Sequence, residues 1–525
     1  MNLSGLDQLY ISDLTDSDYK KITEALTMVN PQYAAKMRFS RWKPKEKDKY
    51  LHFYYEDRAK DLIYVPRNTV TNLGLSVSTT DLSNSGVKAD IIFTGKLREY
   101  QIKYMSKIPG VADFTDAIFE VPCGHGKTAL SLYVMGNVKR KTLVFVTTNY
   151  LVSQWLERVE TFTNSRALAL NNKYINTTLP NVSIITLDMY NSLNSAVKDL
   201  IFKEVGLVVL DEFHRLGAEN YHPILQEIPA EKRLALTATF RRADEKHKLL
   251  QLHCGKVYTM ENQHPPAKVF PIRTNCIINT LVDKSKLTNP LPITDYLKTL
   301  PSADFKQTDT YINYRSLVID WKKAPLLIHP TDKKILDGKR GEVIYAQLDN
   351  YAVEDAARIK LFQGLITKCL KQGRTVLVLS KRKNILKKLH EMYSRDYKSA
   401  LVISETNKTT PAERKFLAEE AQVIFGIQQL AQEGFDVDRI DTLVLLHPIQ
   451  DTEQAIGRTE RVLPGKLPSL VFYPIDDCSP YLSIYKKSHK FVALNAILQK
   501  SIAYSEIETV LNEHKKAITH SARKD

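Results

Sequence analysis

The chain has 525 residues, 43% hydrophobic and 25% charged, the balance of a soluble globular protein rather than a disordered one, with room for about three or four domains. Its 74 Lys+Arg against 59 Asp+Glu leave a net charge of +15, which favours a polyanionic partner such as nucleic acid, although charge spread thinly over a surface would read the same. The five cysteines are scattered with no C-x-x-C pair, so neither a disulfide framework nor a zinc site is indicated. The start MNLSGLDQLY has no basic-then-apolar leader, and no apolar run reaches the roughly 18 residues of a membrane span, so a soluble intracellular protein without a membrane partner is expected.

Residues 1–90 mix short apolar runs with the basic stretch KMRFSRWKPKEKDK (36–49). From 91 to 265 short β-branched runs, AIFEV (117–121), KTLVFVT (141–147), VSIIT (182–186), VGLVVL (205–210) and LALTAT (234–239), alternate with longer amphipathic segments. That alternation predicts a parallel sheet covered by helices on both faces. Prolines in PPAKVFP, NPLP and HPTD interrupt the rhythm over 266–350, which is read as a linker or inserted subdomain. The alternation returns over 351–477 with TVLVLS, SALVIS, AQVIFGI, TLVLLH and SLVFY, a second α/β domain, and 478–525 reads as a helical extension.

The first α/β segment carries VPCGHGKT (121–128) between a strand and a helix. Gly124 and Gly126 let the backbone curl so that successive N–H groups converge on one anion, with the helix N-terminus adding its dipole. Pro122, Cys123, His125 and the two glycines would form the cradle, Lys127 would reach the β- and γ-phosphates of ATP, and Thr128 would ligate Mg²⁺. Val121 stands where the commonest phosphate-loop pattern has its leading glycine, an admissible variant because that glycine supplies a turn rather than chemistry. Further on, VVLDEFH ends an apolar run with two carboxylates. Asp211 can hold Mg²⁺ and Glu212 can orient or deprotonate the attacking water, while His214 could sense the γ-phosphate or couple to the neighbouring domain.

These stretches together resemble the superfamily 2 DExH-box helicases and translocases, and within them the XPB-like branch that includes phage recombination helicases and poxvirus-type transcript-release helicases. The resemblance spans roughly residues 20–265 and 350–475 and implies two RecA-like parallel-sheet domains in tandem behind a small α+β amino-terminal domain. In LREYQ (97–101) it implies that Gln101 helps recognise adenine. LVFVTTNYLVSQW (143–155) and IITLDMY (184–190) are similar to strand-contacting motifs, and LALTATFRRADE (234–245) to the coupling motif in which Thr237 and Thr239 link hydrolysis to domain movement. IFGIQQLAQEGFDV (424–437) resembles motif V, which adds Gly434 and Asp436 to the expected nucleotide contacts. QAIGRTER (454–461) matches Q-x-x-G-R-x-x-R, so Arg458 and Arg461 are expected as arginine fingers and Gln454 as a contact to nucleotide or water.

What the resemblance implies is an ATP hydrolase using ATP and Mg²⁺ to move along or remodel DNA, with duplex, branched or single-stranded DNA as partner and transcription or recombination proteins as further partners. The amino-terminal NPQY, RW and LIYVPRN are similar to that branch's duplex-binding module, with Asn68 replacing the family's glycine at a turn where positive φ is expected. Lys43, Lys45, Lys47 and Lys49 could contact phosphates, and Trp42, Tyr54 and Tyr55 could stack on bases. Cytoplasm or nucleus is the expected compartment, and a viral or phage origin is compatible. An RNA helicase is the alternative within the class; a catalytically silent scaffold and the motor of a restriction system stand outside it.

Overall fold

The computed structural model describes residues 9–30, 33, 45–46, 49–174, 176–212, 222–238, 240, 247–277, 279–280, 327–328, 335–336, 345–403, 420–428, 437–449, 452–461, 463, 465–477 and 479–516. The chain divides into two compact units, Met1–Gln263 and His264–Asp525.

The first unit opens with a four-stranded antiparallel sheet in the order β4-β5-β1-β6, formed by β1 Leu9–Ser12, β4 Tyr55–Asp57, β5 Leu62–Val65 and β6 Ser78–Asp81. A separate hairpin-like pair joins β2 Thr27–Val29 to β3 Tyr50–His52. β1 alternates between buried and half-buried positions, as a strand with one face on a core does. Leu9, Ile11, Ile63 and Val65 enter a core with Ile22, Leu26 and Leu252, while Tyr10, Tyr64 and Tyr55 lie side by side on the opposite face.

Leu252 belongs to the helix His247–Cys254 of the α/β domain that follows, so the small sheet shares its core with that domain. A polar latch reinforces the join. Arg67 pairs with Asp116 at 2.8 Å, both side chains buried, and its Nη1 donates to the carbonyls of Ala230 (3.0 Å) and Glu231 (2.9 Å). Asn68 donates its side-chain amide to the other Asp116 oxygen at 2.8 Å and its backbone N–H to Leu252. Its φ is −92°, so the expectation of a positive-φ turn at Asn68 is corrected: asparagine serves there as a hydrogen-bond donor at the start of helix Thr69–Leu73.

Seven parallel strands follow: β7 Asp116–Glu120, β8 Thr142–Val146, β9 Ala167–Ala169, β10 Val182–Thr186, β11 Leu207–Leu210, β12 Lys232–Thr237 and β13 Lys256–Thr259, in the order β13-β7-β12-β11-β8-β10-β9. Both faces are covered. In β8, Val144 and Val146 enter one core with Phe119, Val209 and Leu236, while Leu143 and Phe145 enter the other with Ile118, Val208 and Ala235. This is why the strands read as unbroken apolar runs instead of alternating ones.

The second unit repeats the plan with β14 Lys268–Ile277, β18 Val376–Ser380, β19 Ser399–Val402, β20 Val423–Ile427, β21 Thr442–Leu445, β22 Leu470–Asp477 and β23 Ile497–Leu498, all parallel, in the order β19-β20-β18-β21-β22-β14-β23. The two units are thus tandem RecA-like α/β domains. A three-stranded antiparallel sheet joins β15 Asn279–Thr280, β16 Leu327–Ile328 and β17 Ile335–Leu336.

β14 lies in the segment expected to be linker, and β23 and helix Ile507–Lys516 come from the extension. The prolines that suggested a break are compatible with this strand because β14 pairs along its length only with β22. Its other neighbour is the two-residue β23, and the Pro271 carbonyl accepts from Ile502 N–H.

Candidate nucleotide site

In the first unit β7 runs into the loop 121–126, and the helix Lys127–Val138 begins on Gly126. Gly124 and Gly126 have φ of 78° and 81°, the left-handed conformation that glycine adopts without strain. A Cβ on Gly126 would lie 2.4 Å from Gln101 Nε2, so the close approach of Gln101 needs glycine as well. The helix start has no side-chain cap, whereas helices Asn149–Phe162, Leu187–Asn191 and Ser195–Glu204 of the same unit are capped by Thr148, Thr186 and Asn194. A helix whose first-turn N–H groups are not taken by its own N-cap, preceded by two left-handed glycines, suits a phosphate.

The loop is held from three sides. Gln101, buried, donates its side-chain amide to the His125 carbonyl at 2.9 Å and accepts from Arg98 N–H at 2.8 Å. Lys127 Nζ turns back to the Val121 carbonyl at 3.3 Å. Val121 N–H donates to the Thr237 carbonyl at 2.9 Å, which ties the end of β12 to the strand-loop junction. Glu120 adds a second tie, accepting from Phe240 N–H at 2.9 Å and Thr259 Oγ1 at 2.7 Å.

One strand, β12, separates β7 from β11, so Asp211 emerges at the same carboxyl edge as the loop. Asp211 is buried, and its oxygens accept from the Trp155 indole N–H and from Glu212 N–H, both at 2.9 Å. Burial and the adjacent Glu212 charge push its carboxyl up from 3.8 to about 6, against the pull of the Trp155 hydrogen bond and Lys127. Glu212 has φ 52°, a strained value for a side chain of that size, and such strain clusters at functional turns. The chemistry of this set fits ATP with Mg²⁺: a cationic amine beside an anion cradle, and a hydroxyl, Thr128, and a carboxylate, Asp211, as hard oxygen donors.

In the second unit Gln454 and Arg458 lie on and just after the short helix Glu453–Gly457, Gln454 buried and Arg458 half-buried. Arg461 pairs with Asp438, and its carbonyl accepts from Lys466 Nζ at 2.7 Å. Burial, with Arg461 adding to it, lowers the Lys466 amine to about 8.

His214, Thr239, Gly434 and Asp436 lie outside the described residues, as do Trp42, Lys43 and Lys47. Tyr54 packs partly into the amino-terminal core, Tyr55 is exposed, and Lys49 stands over the Tyr50 ring. Sequence reasoning gave Trp155 and Glu120 no role. Trp155 lies within LVFVTTNYLVSQW, and a buried tryptophan requires a partner for its N–H, which was the available signal.

The glycine-bearing loop 121–126 and the Asp-Glu pair share one sheet edge and a second sheet of the same plan follows, an arrangement in keeping with a superfamily 2 helicase. Residues 94–242 match the family "Type III restriction enzyme, res subunit", and the chain is related to the XPB helicases. It is 30% identical over 191 residues to the XPB subunit of the general transcription and DNA repair factor IIH of Dictyostelium discoideum, covering 34% of this chain and 24% of that one. To the DNA 3'-5' translocase XPB2 of Sulfurisphaera tokodaii it is 32% identical over 140 residues, 27% of this chain and 30% of that one.

A longer match, 25% identical over 384 residues, covers 71% of this chain and 62% of protein L396 of Acanthamoeba polyphaga mimivirus, assigned as an ATP-dependent RNA helicase. The chain thus spans less than two thirds of each of these relatives. The Pyrococcus furiosus Hef helicase domain, 17% identical, aligns over 75% of this chain and 98% of its own with a TM-score of 0.41. Among the described residues no helix is long and apolar enough to cross a membrane.

Proposed function

We propose that the protein is an ATP-dependent DNA helicase or translocase. The observation that carries the reading is the convergence, at one sheet edge, of the uncapped helix start at Gly126–Lys127 with the buried carboxylate of Asp211. In this reading Gly124, Gly126 and the loop amides cradle the triphosphate, Lys127 neutralises its outer phosphates, and Gln101 supports the loop beneath the base. Thr128 and Asp211 would hold Mg²⁺, which would supply charge neutralisation at the transferring phosphoryl group. Glu212 orients the attacking water, and Thr237 passes the state of the loop to the strand that carries the coupling motif.

Gln454, Arg458 and Arg461 of the second domain serve as the completing contacts, Arg461 after release from Asp438. Binding of ATP then favours one arrangement of the domains and hydrolysis another, and the differential affinity drives stepping. DNA as the track is supported by the net charge of +15 and by the XPB names among the relatives.

The RNA reading has its own support in the mimivirus relative. ATP turnover measured with single-stranded DNA, duplex DNA, branched DNA or RNA added, beside Lys127→Ala, separates the two. DNA is expected to stimulate and the variant to be inactive. Stimulation by RNA alone overturns the choice of track, and turnover surviving in Lys127→Ala overturns the site.

A further inference from the structure

His125 is clamped more thoroughly than a loop residue needs for cradling phosphate through its backbone. Its carbonyl accepts from Gln101, its ring meets Tyr100 edge-on at 5.6 Å, and the side chain is buried. The ring nitrogens carry the most informative contacts. Gln263 N–H lies 3.0 Å from Nε2, and the Cys123 carbonyl lies 3.0 Å from Nδ1. A backbone N–H can only donate and a carbonyl can only accept, so Nε2 is the acceptor and Nδ1 carries the proton. Burial, with Lys127 and Arg98 nearby, holds the imidazole below its usual value, in keeping with this neutral form.

The partner on Nε2 is notable for its place in the chain. β13 runs parallel to β7, Met260 N–H donates to the Glu120 carbonyl at 2.8 Å, and three residues later Gln263 meets the phosphate loop. Gln263 is also the last residue of the first unit. The segment that follows β13 and leaves the first domain is therefore hydrogen-bonded through one side chain to the loop proposed to hold the triphosphate.

We propose that His125 is a positioning residue that couples the phosphate loop to the segment leaving the first domain, the Nδ1–H imidazole gripping Gln263 N–H so that a change of loop conformation is felt at the start of the linker. This deepens the ATP-driven reading and rests on it for the functional half of its test. The residue touches no reacting atom in this scheme. Its effect is transmitted through the loop backbone on one side and the segment after β13 on the other.

Two isosteric halves of the ring separate the contacts. His125→Gln places an acceptor near the Nε2 position and keeps the grip on Gln263, whereas His125→Asn places a donor near Nδ1 and gives it up. In the full-length protein, amide exchange at Gln263 is expected to speed up roughly tenfold in His125→Asn and to stay near wild type in His125→Gln, as loss of one hydrogen bond implies. In turnover stimulated by nucleic acid, His125→Asn is expected to lower kcat roughly tenfold with KM for ATP within about threefold, and His125→Gln to restore kcat.

Gln263→Pro, which deletes the donor and leaves the loop sequence intact, is expected to reproduce the Asn kinetics. Equal Gln263 exchange in His125→Asn and wild type overturns the link itself. A rise in KM with kcat unchanged in His125→Asn, or normal kcat in Gln263→Pro, overturns the coupling and leaves His125 a shaper of the loop. If the wild type hydrolyses no ATP, the functional reading falls, while the exchange result still decides whether the grip exists.

Discussion

Asp211 and Asp476 sit at comparable places, each at or near the carboxyl end of a parallel strand and each buried, yet their surroundings have opposite chemistry. Asp476 is met by Arg358, whose guanidinium makes a two-pronged contact at 2.7 and 3.0 Å, and Thr274 Oγ1 donates to it as well. Arg358 spends its other donors on the carbonyls of Ala352 and Leu446, which binds helix Ala356–Lys371 to the sheet. Asp211 is held by two neutral donors, the Trp155 indole and Glu212 N–H. A buried carboxylate neutralised by a guanidinium is structural; one oriented by neutral donors keeps its charge available for a metal ion.

Asparagine at each position gives the largest test of that contrast. Asp476→Asn leaves a buried guanidinium without its counter-charge and is expected to cost about 3–5 kcal/mol in denaturant unfolding with no special defect in the remaining folded enzyme. Asp211→Asn is expected to cut ATP turnover by about 10³-fold while the fold holds, because the neutral isostere still accepts from Trp155. If Asp211→Asn unfolds the protein and Asp476→Asn abolishes turnover in a stable one, the comparison is the wrong way round.

The pH dependence of stability sharpens the same point. The folded-state value of Asp211, about 6, lies above its ordinary 3.8, so folding favours the protonated form. The resulting cost is absent below about pH 4, grows as pH rises and is complete above about pH 6. Asp211→Asn lacks this cost. Its stability relative to wild type should therefore rise between pH 4.5 and 7, and a flat difference across that range would show that Asp211 is not raised.

The next effect concerns a carboxylate at the other edge of the first sheet. Asp116 opens β7, and its partner Arg67 joins the amino-terminal sheet to the α/β domain. Arg67→Met is expected to destabilise the first unit by about 3 kcal/mol, seen as earlier protease cleavage of residues 1–90, with little change in KM for ATP because the edge proposed to bind nucleotide lies at the far end of the strands. A large KM change would make the latch part of the site.

Trp155→Phe removes the indole N–H donated to Asp211 together with part of the ring that packs in the core. It should cost about 1.5–3 kcal/mol in transition-state stabilisation, read as kcat/KM for ATP, and wild-type kinetics would reduce Trp155 to core packing. The smallest effect is a control: Lys398 and Glu420 form an exposed pair at 3.2 Å, and Lys398→Ala should change stability by about 0.5 kcal/mol or less. A greater loss would mean that partner identity, not burial, governs these pairs.

Much of this architecture was legible in the residues. The apolar runs VSIIT and TLVFV became β10 and β8, since a strand buried on both faces needs no partner to be recognised. VPCGHGKT and VVLDEFH were readable because glycine conformation and strand-end carboxylates are local properties. β14 was not, because PPAKVFP looks like a loop until β22 is known to supply its main ladder. Asn68 was misread for a related reason: its substitution was judged by backbone freedom, while its actual role depends on Asp116, 48 residues away.

The sequence by itself determined two sheets, a phosphate-type loop and the carboxylates at the edge of the first sheet, because each depends on φ preferences and hydrophobic patterning within a few residues. Only the tertiary structure decided that Trp155 orients Asp211, that Arg358 neutralises Asp476 and that His125 holds Gln263. Those contacts join residues 56, 118 and 138 positions apart, and the protonation and donor roles they set follow from which groups the fold buries together.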